Sequence, residues 1–211
     1  MNNSFKDSKA EILAKLHSFK KNESNLNITI PYNTIFPQIS DKEAYFKESF
    51  TKLGGTLFET ETMEDCFVLI KEQVKIRNLK NVLCLEPEFE EKLIDVAHFQ
   101  VDNNNDFEQV EATITACEAL ISRTGSILVS SKSASGRRMN VIPNSHFVIA
   151  YKSQILVDIM EGISFIQEKY AKNQPSMISL ISGPSRTADI EKTLVMGAHG
   201  PKEILLFLVN K

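Results

Sequence analysis

The chain has 211 residues, 42% of them apolar and 24% charged, with a formal net charge of -3. That length suits one folded domain with a short N-terminal accessory segment, and the composition excludes a disordered chain. The weak negative charge, with no long Lys/Arg block, leaves no electrostatic footprint for nucleic acid.

Charged residues Lys6, Asp7 and Lys9 occupy the N-terminus where a signal peptide would be apolar. No apolar run reaches the length of a membrane span, so a cytoplasmic location is expected. Three cysteines, Cys66, Cys84 and Cys117, lie far apart and read as buried free thiols in a reducing compartment. Without a Cys-x-x-Cys or His-x-x-x-His pair, no structural zinc, iron–sulfur cluster or other metal is expected on this chain.

Residues 4–20 return Phe5, Ile12, Leu13, Leu16 and Phe19 to one face, the pattern of an amphipathic helix. Residues 21–39 are rich in Asn and carry Pro31 and Pro37, which predicts an extended arm. The first unit is therefore placed at residues 1–40 and the main domain at 41–211. Asp41 caps a predicted helix carrying Ala44, Tyr45, Phe46, Phe50 and Leu53, and Gly54-Gly55 stops it. A strand follows at 56–59. Thr62 with Asp65 resembles a capping box and opens a helix to about Ile76.

Residues 82–85 form an apolar run ended by Glu86-Pro87, which suits a buried strand of a parallel sheet. Residues 119–131 read as two short strands about Thr124-Gly125, and 130–136 as a Ser-rich loop leading to Arg137 and Arg138. Strands are predicted at 147–150, 177–181 and 204–209, the last two as interior strands, with a helix at 157–170. Alternating strands and helices define an α/β fold with an open, mostly parallel sheet flanked by helices.

The stretch Ser182-Gly183-Pro184-Ser185-Arg186-Thr187-Ala188-Asp189 ends an apolar run in a polar loop. Backbone amides there can face an anion, Gly183 admits close approach, and Arg186 supplies a planar fork for carboxylate or phosphate. A turn whose hydroxyls merely cap a following helix is the alternative. A Walker loop is excluded, because Ala188 stands where its second Gly should be. A nucleophile elbow is excluded too, since Thr187 replaces the second small residue and leaves Ser185 without that geometry.

His199, between Gly197 and Gly200-Pro201, has little bulk around it and is the candidate proton donor or acceptor. A structural role is the alternative for it and for His146, while His17 falls on a solvated helix face and His98 has no evident partner. Thr124-Gly125-Ser126 offers amides and hydroxyls to an anion, with Arg137 and Arg138 opposite; a plain hairpin turn and a solvated basic face are the alternatives.

The string 182–191 followed by Gly197-Ala198-His199-Gly200-Pro201 resembles the C-terminal signature of the LUD-domain family, in its lactate utilization protein C (LutC/YkgG) group. Thr124-Gly125-Ser126, Gly136-Arg137-Arg138 and Pro143-x-x-His146 match further patches, so the resemblance runs from about Lys42 to Val209. One departure is Arg123, which stands where the family usually has an acidic residue before the Thr-Gly turn. The resemblance implies a fold similar to the NagB/RpiA/CoA-transferase-like group. It also implies a subunit that supports oxidation of L-lactate to pyruvate, holds no cofactor itself, and works with partner subunits bearing iron–sulfur clusters. It carries no residue-by-residue mechanism, so whether the chain is an enzyme stays open. A stand-alone enzyme or binding protein for a phosphorylated, CoA-linked or other small anionic metabolite is the alternative, and a pure interaction module a third. A homo-oligomer joined through the N-terminal arm is a further expectation.

Overall fold

A computed structural model describes residues 8, 10–16, 36–95, 109–190 and 193–210, with the backbone alone at 95, 187–190 and 193–195. The chain divides into two compact units, Met1–Gln38 and Ile39–Lys211. In the first, residues 10–16 are helical and expose Ile12, Leu13 and Leu16. Phe5, His17, Phe19 and the predicted arm up to residue 35 lie outside the described residues, as does His98.

The second unit begins with α1 (Lys42–Lys52), which starts where Asp41 accepts hydrogen bonds from the backbone of Glu43 and Ala44. Strand β1 (Thr56–Thr60) follows. Thr62 then accepts from the Asp65 backbone and opens α2 (Met63–Ile76). Strand β2 (Val82–Cys84) leads into α3 (Pro87–Asp95), with Pro87 at the first helical position, where its missing N–H costs nothing.

Next come β3 (Ala112–Ala116), β4 (Ala119–Ile121), β5 (Ser126–Ser130), β6 (Ser145–Tyr151), β7 (Ile155–Leu156) and α4 (Ile159–Tyr170). Strands β8 (Ile178–Ile181), β9 (Arg186–Ile190), β10 (Thr193–Met196) and β11 (Glu203–Val209) complete the unit.

Five strands form a wholly parallel sheet in the order β1-β11-β6-β3-β2. A second sheet, β7-β4-β5-β8, is mixed, and β9 with β10 makes a separate antiparallel hairpin. The α/β fold with a mostly parallel sheet flanked by helices is thus the one observed. Strand β8 differs from expectation: it is the last strand of the second sheet rather than an interior one.

Alternation along β6 and β11 sends side chains to opposite faces and so builds two cores. Phe147, Ile149, Leu205 and Phe207 meet Phe67, Ile70 and Val74 of α2. Val148, Ala150, Leu206 and Leu208 meet α1 through Phe46 and Phe50, and the second sheet through Leu120 and Ile127. The far face of that sheet packs Ile121 and Leu128 on Ile166 of α4. Phe207 stacks on Phe58 and meets Phe147 at a tilt of 45°, with ring centroids 5.2 Å and 5.7 Å away. Burying a side chain of that size contributes about 2–3 kcal/mol. Among the described residues, no helix is long and apolar enough to cross a membrane.

Candidate functional site

The loop residues picked out by sequence gather at the C-terminal end of α1. Gly183 has φ +92°, and a Cβ there would stand 2.6 Å from the Leu53 carbonyl oxygen. Gly125 has φ +57°, and its Cβ would fall 2.6 Å from the Phe50 nitrogen. Both glycines are demanded twice over, by a left-handed backbone and by contact with the helix. Arg186 reaches the same end, where Nη2 donates to the Leu53 carbonyl at 2.7 Å. A cation on the last free carbonyls of a helix meets the negative end of its dipole.

Around this junction the hydroxyls associate. Ser126 Oγ and Ser182 Oγ lie 2.7 Å apart, and Ser126 also donates to the Thr124 carbonyl at 3.2 Å. Thr124 Oγ1 is buried with no hydrogen-bond partner in the described structure. The Ser185 N–H donates to the Pro201 carbonyl at 2.8 Å, and its own carbonyl accepts from Gly197 at 3.0 Å. The His199 backbone N–H lies 3.4 Å from Ser185 Oγ, and the side chain is exposed. Pro184 is buried beneath, while Gly200 passes Ser185 closely enough that a Cβ would sit 3.3 Å from the Ser185 Cβ. Thus Thr124, Gly125, Ser126, residues 182–186, His199 and Gly200 share one region. The side chains of Thr187 and Asp189 lie outside the described residues.

Arg137 and Arg138 are not part of that group. Arg137 Nη2 donates to Ser176 Oγ at 2.5 Å, and Ser176 precedes β8, whereas Ser182 follows it. Six residues separate Ser176 from Ser182, about 20 Å from the rise per residue of an extended strand. The loop cluster also occupies the amino edge of the parallel sheet: Pro201 precedes β11, and Gly54-Gly55 precedes β1. Open α/β sheets usually bind ligands at the opposite, carboxyl edge. Two clefts lie there, one of about 360 Å³ between Glu61, Thr62, Lys92 and Asn210, the other of about 230 Å³ between Glu86, Phe89 and Ala116.

Several groups escaped sequence reading. Glu118 is 3% exposed and accepts from Ser130 Oγ at 2.5 Å, Lys169 Nζ at 2.7 Å and Tyr170 Oη at 2.7 Å. Burial pushes its carboxyl up, but the three donors together hold it below the ordinary carboxylate range. An acid inside the apolar stretch 112–121 was the available signal. His146 is wholly buried in β6, with Nε2 2.9 Å from Thr115 Oγ1 and Nδ1 without a partner among the described residues; burial pushes it down to about 3. It is neutral at any ordinary pH. Burial pushes the thiols of Cys66, Cys84 and Cys117 up to about 12, so none is a nucleophile. Among the described residues, no group of three or more His, Cys, Asp or Glu is placed to hold a metal ion.

Arg123 also acquires a role. Its Nε pairs with Asp158 Oδ2 at 2.8 Å, both side chains being 18% exposed. Its N–H donates to the Val157 carbonyl, so it anchors the start of α4. Asp158 stands at the N-cap of α4 without capping it, because its carboxylate is engaged by the guanidinium.

A parallel sheet backed by a mixed sheet, with a Gly-Pro-Ser-Arg loop closed on a helix end, defines an α/β domain of a recognisable class. The LUD domain model matches residues 43–209, and the chain belongs to that family. Lactate utilization protein C of Geobacillus thermodenitrificans (strain NG80-2) is 32% identical over 105 residues, 49% of this chain and 44% of the relative. The protein of the same name from Bacillus subtilis (strain 168) is 32% identical over 111 residues, 52% of this chain and 46% of the relative. The chain thus spans less than half the length of these relatives in the matched stretch. A crystal structure of a DUF162 family protein from Deinococcus radiodurans superposes with a TM-score of 0.60 at 17% identity, over 82% of this chain and 100% of that one. At that identity the likeness speaks for the fold alone.

Proposed function

We propose that this chain serves lactate utilization, as a subunit that supports oxidation of L-lactate to pyruvate together with iron–sulfur partner proteins. The observation that carries the reading is membership of the LUD family over residues 43–209, in company with relatives named lactate utilization protein C. A small carboxylate would seat against Arg186, beside the hydroxyls of Ser182 and Ser185, with His199 at the rim to give or take a proton.

Deleting the gene in its host should abolish growth on L-lactate as sole carbon source, and the intact gene should restore it. Unchanged growth would overturn the reading. Calorimetric titration of the purified chain with lactate, pyruvate and phosphate esters tests the site. Binding of lactate or pyruvate should weaken in Arg186→Lys, which keeps a cation for the Leu53 carbonyl but loses the bidentate fork. Tight binding of a phosphate ester in a chain dispensable for growth on lactate would favour the alternative, a protein for a phosphorylated metabolite.

A further inference from the structure

The outer edge of β8 combines two observations that the lactate reading does not use. This strand ends the second sheet, and among the described residues β5 is the strand it pairs with. Its two faces are packed, Leu180 toward α4 and Ile181 toward the interlayer core, while Ile178 is 41% exposed. Backbone groups of alternate residues point away from β5 along the open edge. Folded proteins commonly protect such edges with charge. One of the two outermost strands of the main sheet, β1, does so: its Glu59 is paired with Lys47 at 2.6 Å. Residues 177–182 carry no charge at all.

Cations instead surround the start of this strand. Ser131 bonds both the Ser176 and Met177 backbones, and its own N–H donates to the Met177 carbonyl at 3.0 Å, fastening the Ser-rich loop to β8. That stitch continues the β5–β8 pairing and brings Lys132 and Arg137 to the start of β8, where neutral acceptors hold them: Asn173 Oδ1 at 2.6 Å and Ser176 Oγ at 2.5 Å. Exposed Arg138 follows Arg137, and exposed Lys172 adjoins Asn173. Of the carboxylates in this region, Glu118 is directed inward to Ser130, Lys169 and Tyr170, and Glu86 accepts from the backbone and hydroxyl of Ser135 in the same loop. Val141 and Ile142 add exposed apolar surface one turn beyond Arg138.

We propose that the free edge of β8 is a docking site for an extended acidic segment of a partner protein, added as a further strand and steered by Lys132, Arg137, Arg138 and Lys172. Main-chain hydrogen bonds supply the register, and the cationic rim selects for Asp and Glu over basic or neutral sequence. Nucleic acid is disfavoured as the occupant, because it would use the rim but not the strand edge, and the chain as a whole is negative.

The full chain would be titrated by fluorescence anisotropy with a labelled peptide alternating Glu and Val, with its Lys/Val counterpart, and with the Glu/Val peptide N-methylated at alternate bonds. The Glu/Val peptide should bind at least about tenfold more tightly than either control, and should lower deuterium uptake across residues 177–182. The charge reversal R137E/R138E should weaken it about tenfold, with K172E as an independent reversal and thermal melts confirming that both variants are folded. No binding of the peptide, equal binding after N-methylation, or indifference to both reversals would overturn the proposal. So would tighter binding of oligo-dT or of phosphatidylserine vesicles at the same rim.

Discussion

Acidification from pH 6.5 to pH 5 should destabilise this protein through one side chain, His146. In the unfolded chain this imidazole takes a proton below about 6.5. In the folded chain it is wholly buried, touches Thr115 at 2.9 Å, offers no acceptor or donor to Nδ1, and is pushed down to about 3. The folded pKa lies below the unfolded one, so the stability from this group is complete above about 6.5 and is lost progressively as pH falls toward 3. In that window the unfolded state binds one more proton than the folded state, and stability drops by about 1.4 kcal/mol per pH unit. Between pH 6.5 and 5 the loss is about 2 kcal/mol, a large share of the stability of a typical domain. Carboxylates whose ordinary value is 4.5, Glu118 included, contribute mainly below this range. Urea denaturation at half-unit pH intervals measures the slope for wild type and for His146→Gln, which keeps a polar partner for Thr115 but does not titrate. The wild type should lose about 2 kcal/mol and the variant almost none. A flat wild-type profile, or an equal slope in the variant, would refute the assignment.

Gly183→Ala forces a Cβ against the Leu53 carbonyl, 2.6 Å away, in a left-handed backbone. It should cost about 2–3 kcal/mol and lower Tm by about 5–10 °C in a calorimetric scan. Arg123→Glu places a carboxylate beside Asp158 where a 2.8 Å ion pair now stands. It should cost about 3 kcal/mol in urea titration, and a midpoint equal to wild type would show that the pair does not hold α4.

Helix starts were the most readable part of the chain, because a cap is a local contract: Asp41 and Thr62 find their partners within three residues. Strands β6 and β11 were readable for a different reason, since a continuous aliphatic run can be buried on both faces only inside a layered fold. By the same logic β8 was read as interior, and its Ile-Ser-Leu-Ile run is indeed packed on both faces. Burial of a strand's faces says nothing about its edges, so the run itself does not announce that β8 pairs with β5 alone among the described residues. The alternative reading of the 182–189 loop places a helix after it, yet residues 186–190 and 193–196 pair as antiparallel strands, consistent with the β-branched Thr187, Ile190, Thr193 and Val195.

The site is harder for a further physical reason. Glu118 and His146 are defined by partners at a distance in sequence, Tyr170 at 52 residues and Thr115 at 31, and no local pattern announces such a pairing. Gly125 and Gly183 announce a close approach without saying what approaches. Gly125 meets the backbone of α1 and Gly183 meets its C-cap Leu53, so the two glycines fasten a helix whose end Arg186 also grips. Any anion recruited to Arg186 must therefore share the guanidinium with the Leu53 carbonyl, and binding there is coupled to the C-terminal end of α1. Strengthening one contact should be felt at the other, which makes the stability of α1, read by amide exchange at residues 50–55, a direct reporter of occupancy at this loop.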